Sequence, residues 1–289
     1  MPPVMPANTI KIDGKPIGRD QPCFIIAEAG VNHNGSLELA KKLVDCACDA
    51  QADAVKFQTF RSGQVVTKDA GMAEYQKENT GKTESQLDML KRLELSYPEF
   101  LELKKYCDQK GIIFLSTPHT FEAADFLDDI VPAFKIGSGD ITNIPFLEKV
   151  AKTGKPIILS TGTASMAEVR EALTAVKRSN DDVVMLHCTS DYPCPTQDVN
   201  LRAMQSMMKE LDCLVGYSDH TMGIDVPVMA ASMGAVIIEK HFTLDKDLEG
   251  PDHKASINPD DLKEMVRLIR NPEGIDIPEE ILGSPEKKP

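Results

Sequence analysis

No stretch of this chain approaches the roughly 18 consecutive apolar residues that a transmembrane helix needs. The N-terminal MPPVMPANTIKIDGK has neither the charged start nor the apolar centre of a secretory signal. No CxxC pair occurs among the 7 cysteines, and the odd number argues against a closed disulfide framework. They read as reduced thiols of a cytoplasmic protein. Cys46 and Cys48 stand two apart, which on a helix turns them to different faces and makes no metal clip. Positive charge is also short: 32 Lys and Arg face 45 Asp and Glu, for a net charge of −13. That excludes nonspecific nucleic-acid binding, which depends on basic side chains neutralising phosphates. A small anion remains admissible, provided that a local basic pocket receives it.

What is present is one pattern eight times over. The apolar runs are CFIIAEAG (23–30), DAVKFQTF (53–60), GIIFLSTP (111–118), AFKIGSGD (133–140), PIILSTGT (156–163), VVMLHCTS (183–190), CLVGYSDH (213–220) and AVIIEKHF (235–242). Each is short and continuous rather than alternating, as expected of strands buried on both faces of a parallel sheet. Segments with helical periodicity lie between them, such as 37–50, 97–110, 165–178 and 258–270. Ser96-Tyr97-Pro98-Glu99 and Asn258-Pro259-Asp260-Asp261 are helix starts, with a cap, then Pro, then acids. Eight such units in about 260 residues predict a single-domain α/β fold, the (β/α)8 TIM barrel. A doubly wound sheet is the alternative, but its Gly-rich fingerprint after the first strand is missing. Residues 1–22 are expected to form an N-terminal hairpin over the barrel, with an Asp13-Gly14 turn. The barrel spans 23–275, and 276–289 forms an extended tail. Residues 61–95 are expected to be a long polar insertion after the second strand.

In a barrel, chemistry gathers where the C-terminal strand ends meet the following loops. All six histidines fall there (33, 119, 187, 220, 241, 253). Lys56 and Lys135 lie inside strands, where one lysine alone would pass for a side chain snorkelling to the edge. Together with Ser138, Ser160 and Ser218 they suit an anion, with ammoniums as point charges and hydroxyls as donors to phosphate or carboxylate. Gly137 and Gly139 flank Ser138 and allow close backbone approach. His220 and His241 end neighbouring strands, so both imidazoles can reach one divalent ion. Lys240, between Glu239 and His241, is expected by alternation to face the helices.

In the order FIIAEAGVNHNG (24–35), VKFQTF (55–60), LSTP (115–118), FKIGSGD (134–140), ILSTG (158–162), LHCTSDYP (186–193), GYSDHT (216–221), EKHFTLD (239–245) and GPDHKAS (250–256), the chain resembles the phosphoenolpyruvate-dependent sialic acid (N-acetylneuraminate) synthases. Their relatives make legionaminate and pseudaminate. The resemblance implies condensation of phosphoenolpyruvate with an N-acetylated amino sugar such as N-acetylmannosamine, giving a nonulosonate and phosphate. A 6-deoxy diacetamido sugar is an alternative acceptor, and a catalytically silent sugar-binding paralogue an alternative function. It implies that Lys56, Lys135, Ser138, Ser160 and Ser218 hold phosphate and carboxylate, with Thr117, Ser190 and Tyr192 lining the same pocket. Glu28, Gln58 and Asp252 match sugar-facing positions, Asp140 matches an acid–base position, and the catalytic set implied is Glu28, Asp140, Lys56 and Lys135. His220 and His241 match ligands of a divalent metal, Mn²⁺ foremost, with Co²⁺ or Mg²⁺ as alternatives. His119 stands where the family commonly has small or aromatic residues. A homodimer is implied, with no nucleic-acid or membrane partner. The family's small C-terminal antifreeze-like domain is expected to be absent, because the chain stops at LGSPEKKP, about where its linker would begin.

Overall fold

The computed structural model describes residues 9–67, 71, 72, 77, 85–271 and 278–283. Two short antiparallel strands come first, β1 (Ile10–Ile12) and β2 (Lys15–Ile17), joined through Asp13 and Gly14, both at positive φ. Eight parallel strands follow: β3 (Phe24–Gly30), β4 (Ala54–Thr59), β5 (Ile113–Pro118), β6 (Phe134–Ile136), β7 (Ile157–Ser160), β8 (Val183–His187), β9 (Leu214–Asp219) and β10 (Ile237–His241). Hydrogen-bonded neighbours run β5-β4-β3-β10-β9-β8-β7-β6, and β5 and β6 lie side by side at the remaining seam. The result is the nearly closed eight-stranded barrel that the spacing of the apolar runs predicts.

Why these segments pair this way follows from their composition. Nearly every strand residue is buried, because helices cover the outside and side chains fill the inside. Residues facing the helices, such as Ile25, Val55, Phe57, Phe114, Phe134, Leu159, Val215 and Ile238, join the helix faces in one large core. Residues facing inward at the N-terminal end form a second cluster, including Ile26, Ala54, Leu115, Ile158, Val184, Leu186 and Ile237. Ile10, Ile12 and Ile17 of the hairpin belong to that cluster, so the hairpin plugs the barrel at the end away from the polar residues. Capping marks several helix starts: Ser96 and Ser165 make reciprocal capping boxes with Glu99 and Glu168, and Asn258 caps Pro259–Arg270.

Two segments differ from the reading of the sequence. The insertion after β4, read as a polar loop, contains helices Ser62–Val65 and Gln86–Leu93. Phe60, Met72, Met89 and Leu93 pack with Val31 into a small apolar cluster of their own. The tail, read as extended, carries a helical turn at Glu279–Leu282 that buries Ile281. Arg202 donates to the Gly283 carbonyl and binds the Glu279 carboxylate at 2.8 Å, tying this turn to the barrel. Residues 276, 277 and 284–289 of the tail, and 1–8 of the N-terminal segment, lie outside the described residues. No helix among the described residues is long and apolar enough to cross a membrane.

Candidate active site

Strand register decides which side chains meet at the barrel mouth. His241 pairs with Glu28, Glu28 with Lys56, and Glu239 with Ser218. Because side chains alternate along a strand, Glu239 and His241 turn inward while Lys240 between them turns outward. Lys240 binds the Asp219 carboxylate and donates to the Thr221 carbonyl, and Tyr217 and Thr221 also donate to Asp219. Lys240 and Asp219 side chains are both fully buried. The pair locks β9 to β10 one residue behind the two histidines.

Inside the mouth, four ionisable groups lie close together and almost wholly buried. Lys56 Nζ sits 2.7 Å from Glu28 Oε2 and 3.7 Å from Glu239 Oε1, and donates to Thr117 Oγ1 at 3.1 Å. Lys135 Nζ approaches Glu239 Oε1 at 3.4 Å, and Ser218 Oγ donates to the same oxygen at 3.2 Å. Their side chains are between 2% and 5% exposed, so no bulk water screens them. Burial pushes the Glu28 carboxyl up to about 7, beyond what Lys56 offsets. Burial acts on Glu239 in the same sense, but Lys135, Lys56 and His220 outweigh it and hold that carboxyl below its usual range. Lys56 stays above its usual value, because Glu239 and Glu28 outweigh its burial, whereas burial pulls Lys135 down. Two carboxyls thus sit side by side with their titrations driven apart, Glu239 carrying the charge and Glu28 poised to gain or lose a proton near neutrality.

These groups form the floor of a cavity of about 190 Å³. It is also lined by Gln58, Thr117, His119, Gly137, Ser138, Gly139, Ser160, Cys188, Tyr192, Ser218, His220 and His241. Ser160 Oγ is buried and bonds to no described protein group. The Ser138 and Ser190 hydroxyls stand 3.2 Å apart. Gly162, at φ +47, makes this arrangement possible: a Cβ there would lie 2.5 Å from Ser138 Oγ and 2.7 Å from Ser190 Oγ. At Gly30, also at positive φ, an added Cβ would come into van der Waals contact with Gln58, Glu28 and His241.

The two histidines stand with ring centroids 5.7 Å apart, and Tyr192 packs against both. His220 Nδ1 donates to the Thr189 carbonyl at 2.6 Å, which leaves Nε2 with a lone pair. His241 Nδ1 is buried and bonds to no described group. Burial holds both imidazoles below their usual pKa, and in His241 the neighbouring His220 adds to this. Neutral rings with an uncommitted nitrogen fit a divalent ion. No set of three His, Cys, Asp or Glu side chains converges among the described residues. Two imidazoles would therefore be the protein's share of the coordination, the rest falling to water and substrate.

Three residues that the sequence pointed to stand outside this lining. Asp140 closes a single 3-10 turn, Ser138–Asp140, is half-buried, and accepts from Asn143 at 3.0 Å. Burial raises its pKa, partly offset by that hydrogen bond. Ser190 meets the cavity lining through Ser138. Asp252 sits in the loop after β10, where burial raises its pKa to about 6. The reverse also holds: Glu239, to which the sequence reading assigned no role, bridges both lysines, and Cys188 lines the cavity. The signal for Glu239 was its two-residue spacing from His241.

The model of the NeuB family matches residues 43–276. An N,N'-diacetyllegionaminic acid synthase of Legionella pneumophila is 50% identical over 96% of this chain and 79% of its own length. An N-acetylneuraminate-9-phosphate synthase of Homo sapiens is 39% identical over 98% of this chain and 78% of its own. A crystal structure of the N-acetylneuraminic acid (sialic acid) synthetase of Leptospira borgpetersenii in complex with citrate superposes with a TM-score of 0.82. It is 38% identical, covering 93% of this chain and 90% of that one. Likeness of this extent, through every strand that builds the cavity, means that the chain belongs to the NeuB family.

Proposed function

We propose that the chain is a synthase that condenses phosphoenolpyruvate with the open-chain aldehyde of an N-acetylated amino sugar, releasing phosphate and a nonulosonate. The supporting observation is the convergence, in one small cavity, of two lysines, three serine hydroxyls and two neutral histidines. Lys56 and Lys135 with Ser138, Ser160 and Ser218 receive the phosphate and carboxylate, and Thr117, Tyr192 and Ser190 complete that wall. Carbon 3 of phosphoenolpyruvate bonds to the aldehyde carbon, whose oxygen takes up a proton and becomes a hydroxyl. Water adds at carbon 2, losing a proton, and phosphate departs with the bridging oxygen. Glu28, whose proton is mobile near neutrality, serves as acid for the aldehyde oxygen. Gln58 and Asp252 face the sugar, and Asp140 acts on water from the edge of the site. His220 and His241 would hold a divalent ion, Mn²⁺ foremost with Co²⁺ or Mg²⁺ as alternatives, which would polarise the aldehyde.

N-acetylmannosamine is the first acceptor to test. The 50% identity to a legionaminic acid synthase favours a 6-deoxy diacetamido sugar as the second. Purified chain with Mn²⁺, phosphoenolpyruvate and a panel of both sugars should release phosphate and yield a nonulosonate by mass. Turnover with erythrose 4-phosphate or arabinose 5-phosphate instead would overturn the reading, and no turnover with bound phosphoenolpyruvate would indicate a silent paralogue. The reading includes a homodimer, to be checked by light scattering, and a cytoplasmic location consistent with seven free thiols.

A further inference from the structure

His119 enters no step above, yet its ring lines the cavity. It stands one residue beyond β5, where its backbone N–H extends the β4–β5 ladder to the Thr59 carbonyl at 3.1 Å. Its ring meets Phe60 edge-on, with centroids 6.2 Å apart, and Phe60 belongs to the apolar cluster of the β4 insertion. His119 therefore bridges the charged floor and the cap above it. Protein surrounds the imidazole, yet the residue is exposed, because the cavity itself opens onto it. Among the described residues, no ring nitrogen of His119 makes a hydrogen bond. The three histidines beyond the metal-facing pair and His119 differ from it: His33, His187 and His253 each spend a ring nitrogen on the protein.

Depth separates what the cavity can recognise. The lysines, Thr117, Ser160 and Ser218 are all buried at the floor, where the anionic substrate is received. His119 stands above them at the opening, on the path of whatever enters second. Burial and the nearby positive charges of Lys56 and Lys135 drive its pKa down to about 4, so the ring is neutral at working pH. A neutral imidazole adds no charge for an anion, but it offers one donor and one acceptor together. A hydroxyl or amide group can use both.

We infer that His119 is a specificity-determining residue that hydrogen-bonds an uncharged polar group, hydroxyl or acetamido, of the acceptor sugar. This rests on the proposed condensation, and wild-type turnover of an acylamino sugar tests that reading separately. The variants His119→Phe and His119→Gln then test the inference, with phosphoenolpyruvate affinity measured by calorimetry and sugar KM by phosphate release. Phe keeps the ring contact with Phe60 but loses the polar edge, so sugar KM should rise roughly five- to tenfold, the worth of one hydrogen bond to a neutral group. Phosphoenolpyruvate affinity should stay within about twofold. Gln, which retains a donor and an acceptor, should recover much of the loss. A wild-type sugar KM in His119→Phe would reduce His119 to packing, and a loss of phosphoenolpyruvate affinity instead would assign it to the floor. Either result overturns the inference.

Discussion

Binding of phosphoenolpyruvate should draw a proton from solution, and Glu28 should be the group that takes it. Its carboxyl has been pushed up to about 7 by burial, against an ordinary value near 4.3. A phosphate or carboxylate bound on Lys56 and Lys135 brings negative charge close by, which favours the protonated form. At an effective dielectric of about 20, one negative charge about 6 Å away adds roughly 3 kcal/mol to the cost of ionising Glu28, or about 2 pKa units. The bound-state pKa is then about 9, and at pH 8 the protonated fraction rises from about one-tenth to about nine-tenths. Binding at pH 8 should therefore take up about 0.8 proton, and affinity should weaken as pH rises through this window. Calorimetric titration in buffers of differing ionisation enthalpy reads this number as a slope. Glu28→Gln should bring the slope near zero. A flat wild-type response, or an unchanged slope in the variant, would refute the assignment; the latter would move the proton to Lys135, whose pKa burial lowers.

The buried lock behind the histidines makes a separate claim. Lys240→Met leaves Asp219 buried without its cation and should cost about 3–5 kcal/mol in urea unfolding, whereas a loss under about 1 kcal/mol would contradict the burial argument. Gly162→Ala places a methyl group against Ser138 and Ser190 at a positive φ, so phosphoenolpyruvate affinity should fall about tenfold or more with the circular dichroism spectrum kept; wild-type affinity would contradict the packing. His241→Ala should abolish saturable Mn²⁺ binding in calorimetry, and an unchanged isotherm would remove His241 from the metal site.

How much could be read from the sequence depended on how regular each segment is. β10 was legible because side chains along a strand alternate in direction: once the strand ends at the mouth with His241 inward, Lys240 must turn outward. The inward turn of Lys56, Lys135 and Ser218 obeys the same rule. The rule does not reach Asp140, where the chain leaves β6 after three residues and turns into a 3-10 helix. Three residues per turn replace the two-residue period, so Asp140 swings toward Asn143. Asp252 lies eleven residues beyond the end of β10 in a loop with no period to fix its direction. Glu239 shows the converse: alternation turned it inward, but no local pattern reveals that two lysines from β4 and β6 will meet it. The tail misled through composition, since Pro and Gly suggested an extended arm while Ile281 supplied an apolar anchor.

The most direct test follows the bridging oxygen of phosphoenolpyruvate. With that oxygen labelled as ¹⁸O, and N-acetylmannosamine or a diacetamido sugar as acceptor, mass spectrometry should find the label in inorganic phosphate and an unlabelled nonulosonate beside it. Label retained in the organic product, or phosphate released with no nine-carbon acid, would contradict the condensation at its central step.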